Sequence, residues 1–333
     1  ISAEKELINR LLARYDRVGR GGRPVLNASS PVNVSFGLGL IQMDLNEKEK
    51  ILTMSMWTRH TWVDEYLRWK PERYDGVTEI RVEPHQIWVP DIQLYNTADV
   101  DIPARAALAV VRYDGTVSWY PHCIFRSSCS IDVANFPFDE QRCNMAFGSW
   151  THNAKEIDLQ MAFSGGIDLS TFHADHMDSS AWDVCDVNAT RQLVPPDDEN
   201  HYSVLTFQLL LRRKIVFSSY ILTLPCVFLA SLTLVTFWLP PERPDRTALG
   251  MSTFSSFMVL LLILVESAPP TANTVPKLGV YYCFIMVIIM LSIILSSMVV
   301  NIARGPSNKT SPVPRFLAFV STMDPQSPLN INA

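Results

Sequence analysis

Residues 129 to 143 read Cys129-Ser130-Ile131-Asp132-Val133-Ala134-Asn135-Phe136-Pro137-Phe138-Asp139-Glu140-Gln141-Arg142-Cys143. Thirteen residues separate the two cysteines. In an oxidising compartment, a disulfide closing a loop of this size stabilises a domain by about 3 kcal/mol in the chain-entropy model. The spacing permits that bond without requiring it. The compartment has to be read from the rest of the chain.

The chain has 333 residues, with 28 Lys and Arg against 33 Asp and Glu, a net charge of −5. That balance argues against a basic nucleic-acid binder. Charge is unevenly spread. From Ile215 to Ala303 only Glu242, Arg243, Asp245, Arg246, Glu266 and Lys277 are charged. They leave three charge-free runs, 215–241, 247–265 and 278–303. A helix of about 20 apolar residues crosses a bilayer core, so the block 214–304 predicts membrane spans at about 215–239, 247–266 and 277–303. A wholly soluble protein is excluded. Pro225 lies inside the first run, where membrane bundles tolerate it. The middle run carries Ser252, Thr253, Ser255 and Ser256, hydroxyls that a lipid-facing anchor does not need. It is predicted to line a polar pathway.

Residues 1–213 read as all-β. Val32, Val34, Phe36, Leu38 and Leu40 alternate with smaller or more polar neighbours, as do Leu52, Met54 and Met56, and Leu205, Phe207, Leu209 and Leu211. Period two marks half-buried strands, and Gly- or Pro-rich turns between them indicate a β-sandwich. Leu7, Ile8, Leu11 and Leu12 predict a short amphipathic helix ahead of it. Glycosylation sequons at Asn27, Asn33 and Asn188 place this region outside the cell, and Arg243, Arg246, Arg304, Lys309 and Arg315 place the opposite ends of the spans inside. The chain opens at Ile1 without a basic leader, as expected of a processed secretory product. Residues 305–333 read as a polar, Pro- and Ser-rich cytoplasmic tail, disordered by composition.

Cys-x13-Cys around Phe136-Pro137-Phe138-Asp139 resembles the signature loop of the Cys-loop receptors, the pentameric ligand-gated ion channels. Trp88-Val89-Pro90-Asp91, Phe147-Gly148-Ser149-Trp150-Thr151, Arg213 and Pro225-Cys226 fall in the same family order. The likeness is to the nicotinic and serotonin-gated cation branch. It implies a plasma-membrane subunit with an extracellular ligand-binding sandwich and a helical transmembrane domain, in a homo- or heteropentamer. It also implies a Cys129–Cys143 disulfide and no cofactor. The family's fourth span has no counterpart after Ala303, where no apolar stretch exceeds Phe316 to Val320.

By the same resemblance, an agonist sits between subunits. The principal face comprises Tyr95, Trp150 and Tyr202; the complementary face comprises Trp57, Arg59, Ser118 and Tyr120. Strand parity independently turns Trp57 and Arg59 away from Leu52, Met54 and Met56. Trp62, Trp88 and Trp182 are expected in the core. An aromatic box attracts organic cations through the ring quadrupole. Residues 191–201 lack the adjacent cysteines of the nicotinic α-type loop, so the expected ligand is a small organic cation and not acetylcholine in particular. Both faces on one chain permit a homopentamer. Cys123 and Cys185 could pair with each other or remain thiols.

Ala248, Ser252, Ser255, Val259, Leu262 and Glu266 recur at helical steps, with Asp245 just before them. Five copies would stack carboxylate, hydroxyl, apolar and carboxylate rings, which favours cations and a dewetting gate at Val259 and Leu262. The family usually has leucine where Ser255 stands. Gating is expected to couple through Phe136, Pro137, Phe138, Asp139, Arg213 and Pro276. The alternatives are a membrane-anchored binding subunit that conducts only in a heteromer or not at all, and an extracellular enzyme using His173, Asp175, His176 and Asp178. No nucleophile elbow, phosphate loop or zinc-hydrolase motif supports an enzyme. The histidines read as a solvated loop, not a metal site.

Overall fold

Period-two alternation buries one face of several long strands, and two sheets close over those faces. The computed structural model describes residues 2–99, 107–163, 165–170, 181–195, 200–215, 219–240, 245–268 and 274–303. The histidine–aspartate stretch 173–178 and the tail after Ala303 lie outside the described residues. The strands are β1 (Val32–Asn46), β2 (Ile51–Val63), β3 (Glu79–Val82), β4 (Ile92–Leu94), β5 (Ala109–Arg112) and β6 (Thr116–Trp119). They continue with β7 (His122–Ser128), β8 (Glu140–Ser149), β9 (Ile157–Met161), β10 (Ile167–Asp168), β11 (Trp182–Val194) and β12 (Tyr202–Arg213). One sheet runs β10-β1-β2-β6-β5-β3, with β7 also paired to β2 and β9 to β1. The other runs β11-β12-β8-β4.

The alternating residues named above are buried, among them Val34, Phe36, Leu38, Met54, Phe207 and Leu209. Phe36 and Phe207 flank Phe147 at ring-centroid distances of 5.1 and 5.8 Å, joining the two sheets. Trp62, Trp88 and Trp182 are buried, as expected of core tryptophans. A disulfide between Cys129 and Cys143 links the end of β7 to β8. Cys123 on β7 and Cys185 on β11 are not bonded to each other.

The first helix, α1 (Ala3–Val18), begins where the Ser2 side chain accepts from the Lys5 amide. Its buried stripe is Leu7, Leu11 and Tyr15. The Tyr15 hydroxyl donates to Asp64 at 2.8 Å and accepts from the Trp88 amide at 3.1 Å. Burial pushes the Asp64 carboxyl up to about 6, against the hydrogen bond from Tyr15.

The apolar block forms α2 (Leu224–Trp238), α3 (Asp245–Ser267) and α4 (Lys277–Ala303). Asp245–Ser267 and Lys277–Asn301 are long and apolar enough to cross a membrane. The first run departs from the continuous helix expected: a π-helical turn, Ser219–Thr223, precedes α2. Pro225 has no amide to donate and its ring crowds the preceding turn, which favours the wider turn. Residues divide into two compact units, one reaching Phe228 and including Met258–Cys283, the other comprising Leu229–Phe257 and residues from Phe284 onward. Within the second unit, a Cβ at Gly250 would come within 2.9 Å of Ile293. Glycine there lets α3 approach α4 closely.

Replacing Tyr15 by Phe removes the hydroxyl that satisfies both Asp64 and the Trp88 amide. Thermal unfolding of the sandwich should show a loss of about 1–3 kcal/mol. The folded carboxyl pKa is raised, so its cost appears as pH rises through about 6; the deficit should be larger above that pH than below it.

Candidate functional site

Asp91 organises the first aromatic face. Its carboxylate accepts from the Ser149 hydroxyl (2.6 Å), the Thr151 amide (2.9 Å) and the Thr151 hydroxyl (2.6 Å), while its carbonyl accepts from the Trp150 amide at 3.3 Å. Burial opposes the ionised form, but these hydrogen bonds prevail and hold the carboxyl below its ordinary value. The segment Ser149–Thr151 is thereby pinned with Trp150 63% exposed. Tyr95 lies beside it, ring centroids 6.1 Å apart and edge-on, its hydroxyl donating to the Ser149 carbonyl at 2.7 Å. A Cβ at Gly148 would stand 2.3 Å from the Tyr95 hydroxyl, so glycine makes room for the ring. Burial, then the neighbouring Tyr202 and Asp91, push the Tyr95 phenol up. Tyr202 begins β12, half-buried, in register with Val194 across the hairpin. The hairpin tip, residues 196–199, lies outside the described residues.

The second face lies on the other sheet. Trp57 is 43% exposed on β2, and its neighbours Met56 and Thr58 point into the core. Arg59 Nη2 reaches Asp168 at 3.3 Å, and its guanidinium stacks 4.7 Å from the Phe163 ring and 5.9 Å from Tyr120. Its charge is therefore partly compensated within the chain. Ser118 lies half-buried on β6, opposite Thr61. Within one chain, no ring contact among the described residues joins Trp57 to Tyr95, Trp150 or Tyr202. The two faces are separate surfaces.

Beneath the sandwich, Arg213 ends β12 inside a cage. It contacts Asp139 through Nε (2.7 Å) and Nη2 (3.0 Å), and Glu47 through Nη1 (2.6 Å) and Nη2 (2.8 Å). Its guanidinium stacks 4.8 Å from Phe136 and 4.4 Å from Trp182. Burial opposes the charge, but the two carboxylates outweigh it and push the guanidinium pKa up. Gln141 donates at 2.6 Å to Asp139 Oδ2, the oxygen that also accepts from Arg213 Nη2, and braces the signature loop through Asp132. The Lys277 amide donates to the Ala134 carbonyl at 3.0 Å, and its ammonium donates to Asn135 at 2.8 Å, fastening the start of α4 to that loop. Pro276 caps the same helix, its carbonyl accepting from Gly279. Phe138 is exposed. Pro137 follows a cis peptide bond.

On α3, Asp245, Ala248, Ser252, Ser255, Val259, Leu262 and Glu266 are all exposed, with Met251, Met258 and Val265 flanking them. The opposite face, including Thr253, Phe257, Leu260 and Leu264, is buried. Ser252 and Ser255 donate to the Leu249 and Met251 carbonyls at 2.8 and 3.0 Å. Each hydroxyl proton is thus engaged by its own helix, and each oxygen is left to accept. Asn27, Asn33 and Asn188 are exposed.

Glu47, Lys277, Asp168, Phe163 and His122 were not picked out by sequence reasoning. Asp91 stood inside a quoted motif with no role assigned to it.

A disulfide-closed loop packs against a β-sandwich, and two of the helices that follow are long and apolar enough to cross a membrane. Residues 4–215 match the family model of the neurotransmitter-gated ion-channel ligand binding domain, and residues 222–325 that of the neurotransmitter-gated ion-channel transmembrane region. The chain is 37% identical over 314 residues to the mouse (Mus musculus) neuronal acetylcholine receptor subunit alpha-6, covering 93% of this chain and 62% of that protein. It is 39% identical over 331 residues to the Drosophila melanogaster acetylcholine receptor subunit beta-like 2, covering 95% and 62%. To the chicken (Gallus gallus) neuronal acetylcholine receptor subunit alpha-4 it is 37% identical over 319 residues, covering 93% and 49%. The chain thus spans 62% or less of the length of these relatives. It belongs to the Cys-loop family of neurotransmitter-gated ion channels, in the nicotinic branch. This is a family of channels, not enzymes, with the ligand-binding domain outside the plasma membrane.

Replacing Arg213 by Gln leaves Glu47 and Asp139 without their shared cation. An unpaired buried carboxylate is costly, so the domain should lose about 3–5 kcal/mol, read as a lower urea midpoint.

Proposed function

We propose that this chain is a subunit of a pentameric, ligand-gated, cation-selective channel opened by a small organic cation. The division that goes with this reading is 1–213 for ligand binding, 214–304 for the membrane and 305–333 for a cytoplasmic tail. Tyr95, Trp150 and Tyr202 of one subunit face Trp57, Arg59, Ser118 and Tyr120 of the next, and an ammonium group sits among the rings. The partners are the agonist, permeant cations, the bilayer and further copies of this chain or related subunits. Relatives named as acetylcholine receptor subunits support an ammonium ligand.

The observation that carries the reading is the exposed face of α3, with a carboxylate at each end and acceptor oxygens between. In a ring of five, Asp245 and Glu266 attract cations, and Ser252 and Ser255 offer oxygens in place of lost hydration. Val259 and Leu262 form the closed gate, since Ser255 is too polar to dewet. Arg213, Asp139, Phe136, Pro137 and Phe138 pass the rearrangement of the sandwich to the membrane segments, with Pro276 at the entry to the last span.

In oocytes under voltage clamp, a panel of small amines should evoke a current whose reversal potential follows sodium substitution. A current following chloride would overturn the acidic-ring argument; a current appearing only with a related subunit would favour an obligate heteromer. Trp57→Leu should raise the half-maximal agonist concentration by about thirtyfold, the loss of a cation–π contact of about 2 kcal/mol. Ser255→Leu should shift the opening equilibrium. An unchanged equilibrium would remove the gate from Val259 and Leu262.

A further inference from the structure

The register of β2 against β7 sets His122 directly opposite Trp57. The two rings meet edge-on, centroids 5.2 Å apart. His122 Nε2 is hydrogen-bonded to the Ser55 hydroxyl at 2.8 Å, which holds the imidazole against the indole from the neighbouring side-chain row of β2. Ser55 and Trp57 lie two residues apart on the strand face turned away from the core. His122 is therefore built into the complementary face through two contacts, although it belongs to none of the positions already assigned there.

We propose that His122 is a specificity-determining residue that makes the complementary face proton-sensitive. When neutral, the ring supports Trp57 and leaves its π-face to the ligand cation. When protonated, it places a like charge within several ångströms of an ammonium seated over Trp57 and competes for the same quadrupole.

The charged groups around this face do not duplicate that behaviour. On β2, Arg59 is paired with Asp168. Hydrogen bonds from Ser170 hold the Asp168 carboxyl below its ordinary value, so the pair persists in mild acid. On β7, Arg126 is paired with Asp99. On β1, Gln42 stands opposite Ser55 and carries no charge. His60, on the buried side of β2, is pushed down to about 3 by burial and stays neutral. His152, on the principal face, contacts the Asp91 carboxylate at 3.4 Å and lies just past β8, on the other sheet from His122. Among the described residues, no carboxylate lies in ion-pairing reach of His122.

This inference rests on the organic-cation reading of the site, and the test separates the two. The probe is tetramethylammonium, whose charge does not vary with pH. Its equilibrium binding to the assembled receptor in membranes is measured at about pH 7.5 and about pH 5.5, spanning the interval in which histidine side chains change charge. Wild-type receptor should bind about tenfold more weakly at the lower pH. His122→Gln, which keeps a hydrogen-bonding group for Ser55, should lose most of that dependence. His122→Arg should bind weakly at both values. A pH shift of undiminished size in His122→Gln would overturn the role of His122 while leaving the cation site standing. No binding at either pH would overturn the cation site, and this inference with it.

Discussion

One buried guanidinium holds the lower end of the sandwich together. Arg213 closes the last strand, and its two carboxylate partners come from the β1–β2 turn and the signature loop. Removing three charged groups from water is expensive, and the arrangement is stable because nearly every donor finds an acceptor. The geometry therefore admits little slack: Glu47, Asp139, Phe136 and Trp182 must all surround the same side chain. The residue that follows in sequence leads into the membrane block. The last residue of β12 is thus tied to the signature loop, and that loop is tied through Lys277 to the start of α4. A ligand that shifts the β11–β12 hairpin would act on one end of a strand whose other end is this cage.

The two aromatic faces obey a similar rule at the outer end. Each exposes a tryptophan, at a cost in solvated apolar area, and each secures it with polar neighbours. Asp91 pins Trp150 through the backbone and hydroxyls of its own segment, whereas Trp57 is held by strand pairing and His122. The Trp57 face already contains a cation, Arg59, partly compensated by Asp168 and Phe163.

Much of this was legible in the chain. Alternation exposed the strands because burial on one face leaves a period-two record, and the parity of β2 turned Trp57 outward without coordinates. The helical steps from Ala248 to Glu266 picked out a face that is bare in the single chain. Other features left no local record. Glu47 sits in a turn beside Asn46 and Lys48, where a carboxylate reads as solvated; only the fold brings Arg213 to it. Asp168 and Phe163 reach Arg59 from more than a hundred positions away. His122 depends on strand register, which sequence periodicity does not specify. Pro225 was expected to be tolerated inside its span, and the π-helical turn ahead of it left no record of its own in the sequence.

In the proposed assembly, a ligand cation is held between Trp150 of one copy and Trp57 of the next, above a pore formed by α3. An electron cryomicroscopy reconstruction of the assembled receptor with tetramethylammonium tests it most directly. Five subunits should surround an axis lined by Ser252, Ser255, Val259 and Leu262, with ligand density between those two indoles. Density elsewhere, or an axis lined by the Phe257 and Leu264 face, would contradict it.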